Sequence, residues 1–116
     1  MYVMTATKGI KMNEQETVDK YQQVMEIAAK IPKEWGGWIS CDKGWYDIII
    51  ELDKQLTYLM PNYYPTQIKE KFGTLRFYWE PNGVSMDIWP MIDEITTACT
   101  QRAERKSANT CEICGV

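Results

Sequence analysis

Apolar positions along this chain recur first at helical spacing, then in alternation, then at helical spacing again. Between Asn13 and Pro32, the residues Val18, Tyr21, Val24, Met25, Ala28 and Ala29 lie three and four apart. This predicts a helix capped by Asn13, with Glu14 and Glu16 favourably placed in its first turn and Pro32 as its stop. The stretch Glu34 to Gly44 is rich in glycine and reads as a compact loop. Its Trp35 and Trp38 are expected in the core, because large aromatics usually bury. A second helix is expected from Gly44 to Met60, with Trp45, Ile48, Ile49, Leu52, Leu56 and Leu59 on its apolar side and Pro61 closing it. The period then shortens towards two. Ile68 and Phe72 share one face, Leu75, Phe77 and Trp79 share another, and Gly73 marks a turn, kink or bulge between the two arms. A last helix follows Pro81-Asn82-Gly83, capped by Ser85 or Asp87, with Pro90 tolerated in its first turn. Its stripe is Ile88, Met91, Ile92, Ile95 and Cys99. The expected fold is α+β, with about three helices packed on a small antiparallel sheet whose hairpin covers about residues 67–80. No repeat, low-complexity tract or linker divides the 116 residues, so residues 1–116 are read as a single domain.

Composition narrows the chemistry. There is no histidine, which removes Ser-His-Asp and Cys-His nucleophile activation and mixed Cys/His zinc centres. Carboxylate pairs (Glu14/Glu16, Asp42/Asp47, Asp93/Glu94) are explained by helix starts and solvated faces. No phosphate-binding or nucleophile-elbow motif occurs, so the chain is read as a non-enzyme. The net charge of −3 opposes general nucleic-acid binding and favours approach to a basic protein partner. Within Lys69–Tyr78, however, basic and aromatic residues interleave as they do in single-strand binders. A zinc-stabilised module that binds nucleic acid or a small nucleotide through this hairpin is therefore the alternative reading. The longest apolar run, Ile48-Ile49-Ile50, is flanked by Asp47 and Glu51, so no membrane span is expected. The N-terminal residues lack the pattern of a secretory signal, which predicts an intracellular protein.

The most informative segment is Cys111-Glu112-Ile113-Cys114-Gly115. Such a turn converges two thiolates on one metal, with backbone amides available to the sulfurs and glycine easing the bend. A thioredoxin-type redox pair would instead open a helix after a strand, and a structural disulfide is out of place in a reducing cytosol. The expectation is a structural Zn²⁺ held by Cys41, Cys99, Cys111 and Cys114, which pins the C-terminal tail and the Cys41 loop onto the helical body. Cys41 precedes a helix N-terminus, which favours a thiolate. Cys99 reads equally well as a small core residue, and Glu112 or a water serves as a substitute donor for Cys41 or Cys99.

Three segments carry a resemblance: Cys41-Asp42-Lys43-Gly44-Trp45, the string Gln67-Ile68-Lys69-Glu70-Lys71-Phe72-Gly73-Thr74-Leu75-Arg76-Phe77-Tyr78, and Cys111-Glu112-Ile113-Cys114-Gly115. Across about residues 38–116 the chain resembles small proteins carried by bacteriophages and prophages. It also looks like a zinc-containing anti-CRISPR family directed against type II-A Cas9. The resemblance implies a stoichiometric inhibitor in the cytoplasm of an infected bacterial host, one that binds Cas9 by protein–protein contact and obstructs target-DNA loading without chemistry of its own.

Overall fold

The computed structural model describes residues 14–116, so the Asn13 cap lies outside the described residues. The elements are α1 (Glu14–Ala28), β1 (Ile39–Ser40), α2 (Tyr46–Leu59), β2 (Tyr64–Lys71), β3 (Thr74–Glu80) and α3 (Trp89–Ala108), with short 3₁₀ turns at Lys33–Trp35 and Lys43–Trp45. Among the described residues the architecture is α+β, three α-helices and one three-stranded sheet. The hairpin β2–β3 is antiparallel as expected, but β1 pairs in parallel with β2 (Ile39 opposite Ile68, Ser40 opposite Lys69), so the sheet is mixed. A two-residue strand inside a glycine-rich loop leaves no alternation long enough to be read from sequence.

Helix α2 is the centre of the fold. Ile48, Ile49, Ile50, Leu52 and Leu56 are all buried, against Val24 and Ile27 of α1, Ile68, Leu75 and Phe77 of the sheet, and Ile92 of α3. Ile50, outside the expected stripe, is buried as well, so the helix is covered on more than one side, while Tyr58 stays exposed. Met60 ends it by donating its N–H to the Leu56 carbonyl at 2.7 Å, before Pro61 forbids another turn.

Helix α1 docks differently from the expected stripe. Its buried positions are Val24, Ile27 and Ala28, with Ile31 beyond its end, while Val18, Tyr21 and Met25 are exposed. Two lysines, one at mid-helix and one just past its end, reach α2: Lys20 to Asp47 and Lys30 to Asp53, each at 2.8 Å. The contact of α1 with α2 is thus only partly hydrophobic, and the Lys30 ammonium also lies 5.1 Å from the Tyr63 ring centroid. Trp35 and Trp38 also depart from expectation, at 58% and 66% exposed. Gly36 and Gly37 both take positive φ (108° and 74°), a bend that leaves Ile39 to enter the sheet and turns the two indoles to the surface.

The hairpin turns on Phe72-Gly73, both at positive φ (55° and 80°), between the paired residues Lys71 and Thr74. This is the two-residue geometry that matches strand twist. It places Phe72 at the tip, 85% exposed, instead of on the face of Ile68. The Glu70 carboxylate accepts the Gly73 N–H at 2.8 Å, and the Thr74 hydroxyl donates to the Lys71 carbonyl at 2.9 Å.

Helix α3 has Pro90 in its first turn as expected, but its N-cap is Ile88, with no side-chain cap, instead of Ser85 or Asp87. The Ser85 hydroxyl is used one turn earlier, accepting the Asp87 N–H at 3.2 Å. It buries Ile92, Thr96, Cys99, Ala103 and Ser107 but leaves Ile88, Met91 and Ile95 exposed. Two of its buried positions are hydroxyl residues, which a hydrophobic stripe cannot reveal. Among the described residues, no helix is long and apolar enough to cross a membrane.

Candidate metal centre and recognition face

The C-terminal tail folds back onto the turn that opens α2. Glu112 accepts two backbone N–H groups there: its carbonyl takes Gly44 at 2.6 Å and its carboxylate takes Asp42 at 3.0 Å. The buried Trp45 indole donates to the Thr110 carbonyl at 2.9 Å. The approach is so close that only glycine fits at position 44, since a Cβ there would lie 2.2 Å from the Cys111 carbonyl oxygen. The tail is thus tied to the Cys41 loop by the polypeptide itself.

Within the tail, Cys111 to Gly115 forms a tight turn. The Gly115 N–H donates to the Cys111 carbonyl at 2.8 Å, and Gly115 takes φ 80°. The Cys114 N–H donates to Cys111 Sγ at 3.3 Å. This amide, then the Cys114 thiol and the amide of Ile113, hold the Cys111 thiol below its ordinary value. Hydrogen bonding to the charged form favours a thiolate, the state that binds metal.

Cys41 has the opposite environment. Burial first, and then the carboxylates of Glu112 and Asp42, push its thiol up to about 12. A bound dication would reverse this, because the same desolvated, carboxylate-rich setting that penalises a lone thiolate favours a thiolate paired with a cation. Cys99 lies elsewhere. It is 8% exposed, inside the hydrophobic core, and shares a crevice with Ile48, Leu52 and Ala103. It lies nine positions before Ala108, the end of the helix, about 13 Å along the axis. The fold therefore brings the Cys111–Cys114 turn to the Cys41 loop and keeps Cys99 with the packing side chains. Among the described residues, no group of three or more His, Cys, Asp or Glu side chains is close enough to hold a metal ion. The role of Gly44 had one sequence signal, a glycine beside a tryptophan at a helix start; the two-fold use of Glu112 had none.

A second feature is the exposed side of α3 and the segment that leads into it. Met86, Ile88, Met91 and Ile95 are 83%, 45%, 57% and 41% exposed. Between Arg76 and Arg102 the sequence has no Lys or Arg but has Glu80, Asp87, Asp93 and Glu94. At the base of this face, Pro81, Gly83, Val84, Met86 and Trp89 line an open cavity of about 320 Å³. An exposed apolar stripe with Glu94 beside it, reaching Arg102 only two turns after Ile95, is suited to a partner that is apolar at the centre and basic at the rim. No family profile, no curated protein and no solved structure matches the chain.

Proposed function

We propose that this chain is a non-enzymatic recognition domain that inhibits type II-A Cas9 by protein–protein contact and obstructs target-DNA loading. The observation that carries the reading is the exposed apolar stripe of Met86, Ile88, Met91 and Ile95, set in a stretch of sequence that has four carboxylates and no basic residue between Arg76 and Arg102. Cas9 holds its guide–target heteroduplex in a positively charged channel, so such a face has both the electrostatic steering and the apolar area to engage it. The choice of Cas9 rests on the sequence resemblance to anti-CRISPR proteins, and the setting is the cytoplasm of an infected bacterium.

The tail acts as a structural Zn²⁺ centre in this reading. Cys111 and Cys114 supply the converging pair, Cys41 the third donor and Glu112, in place of Cys99, the fourth, after a modest closure of the tail on the Cys41 loop. The metal holds loop and tail together and performs no chemistry.

The test is a titration into guide-loaded type II-A Cas9, following target binding and cleavage together. Loss of both near one equivalent, relieved at least about tenfold by Met91→Arg with Ile95→Arg, is the expected result. Unchanged binding and cleavage at large excess would remove Cas9 as the partner.

A further inference from the structure

The strand register sets a second surface on the far side of the sheet from α2. Lys69 of β2 stands directly opposite Arg76 of β3, Lys71 opposite Thr74 and Gln67 opposite Tyr78, while Ser40 of β1 extends the row beside Lys69. These residues alternate with Ile68, Leu75 and Phe77, which are buried, so the cationic set faces solvent. Two like charges facing each other across strands cost stability. The fold relieves the cost only in part: among the described residues neither Lys69 nor Lys71 forms an ion pair, while Arg76 lies 4.0 Å from Glu104 and donates its Nε–H to the Thr74 hydroxyl at 3.2 Å. The nearby Glu70 carboxylate is engaged by the Gly73 amide. Tyr78 is 43% exposed on this face, and Phe72, with the Lys71 ammonium 5.6 Å from its ring centroid, extends it at the tip.

We infer that this sheet face binds a single-stranded polynucleotide, with Lys69, Lys71 and Arg76 on successive phosphates and Tyr78 stacked on a base. A phosphate between Lys69 and Arg76 converts their repulsion into a shared attraction. A sheet face with an exposed aromatic at mid-strand is a platform for an unstacked base. This surface is separate from the α3 face and opposite to it in charge, so the domain would hold a basic protein on one side and a nucleic-acid strand on the other.

The test is fluorescence anisotropy of labelled single-stranded DNA and RNA oligonucleotides over a series of salt concentrations. Binding is expected to weaken with salt at a logarithmic slope near −2, as three phosphate contacts require. Lys69→Ala with Lys71→Ala should flatten that slope by about 1.4, and Tyr78→Ala should weaken binding at least about fivefold. Lys54→Ala, on α2, should change nothing, and circular dichroism of the exposed-site variants should match the parent. No binding of either oligonucleotide at protein concentrations up to about 100 µM would overturn the inference. So would equal affinity for duplexes or polyglutamate, or indifference to Tyr78→Ala.

Discussion

Gly44 lies directly beneath the backbone of Glu112, donating its N–H to the Glu112 carbonyl at 2.6 Å where a Cβ would lie 2.3 Å from that same oxygen. The contact joins residues far apart in sequence and puts the Cys111–Cys114 turn beside Cys41. Gly44→Ala should therefore lift the tail. Overpacking against backbone costs about 1–3 kcal/mol, which should appear as a lowered thermal midpoint with the helical circular dichroism retained. Cys41 should become faster to alkylate. Unchanged Cys41 reactivity would show that the tail does not depend on this contact.

The cysteines divide into two groups that substitution can separate. Cys99→Ala should cost about 1 kcal/mol through lost packing and leave zinc affinity intact. Cys111→Ala and Cys114→Ala should each reduce zinc affinity more than about 100-fold, beyond what loss of a supporting residue does. Cobalt(II) titrations read both, because thiolate charge-transfer bands report the number of sulfurs bound. A Cys99→Ala variant that lost a band would return Cys99 to the ligand set.

How far the sequence foretold the structure depends on what each residue answers to. Helix α2 was legible because nearly every apolar residue in it has one place to go, the core. The stripes of α1 and α3 were only half legible. Hydrophobicity found Val24 and Ala28 in α1 and Ile92 and Cys99 in α3, all buried. It also took in exposed flank residues and missed the ion pairs of Lys20 and Lys30 and the buried hydroxyls of Thr96 and Ser107. Phe72 looked like a strand residue, yet Gly73 beside it allows a two-residue turn that needs positive φ at both positions. In the C-terminal tail, the tight turn that puts Cys111 next to Cys114 was legible from spacing alone. The Glu112 clasp on Asp42 and Gly44 was not, because its partners are brought together only by the fold.

Ser107 shows what such a buried hydroxyl does. Its Oγ accepts the Leu75 N–H at 2.8 Å and donates to the Glu104 carbonyl at 2.6 Å. Leu75 is on β3, an edge strand whose outer N–H groups have no strand to bind. Ser107→Ala leaves that buried donor unsatisfied, at a cost of about 1–3 kcal/mol. The thermal midpoint should fall by at least about 4 °C for a domain of this size. Amide exchange at Leu75 should accelerate more than at Phe77, and equal acceleration of both would mean that the variant merely destabilises the whole fold.

The Tyr63 hydroxyl donates to Asp53 Oδ1, the oxygen that also receives the Lys30 ammonium at 2.8 Å. Burial first, and then the hydrogen bond to Asp53 and its charge, raise the Tyr63 phenol well above its ordinary value of 10.0. A raised value favours the protonated phenol in the folded state. Its contribution is fully present below pH 10, where folded and unfolded chains both keep the proton. Above pH 10 the unfolded chain releases the proton and the folded one retains it, so stability falls as pH rises. Tyr63→Phe should cost about 1.5–3 kcal/mol at neutral pH, the value of a hydrogen bond to a charged group. The gap between the two proteins should then narrow as pH climbs above 10, since phenylalanine has no proton to lose. Urea unfolding across that range measures it. A gap that stayed constant would show that Tyr63 ionises as readily in the folded protein as in the unfolded chain.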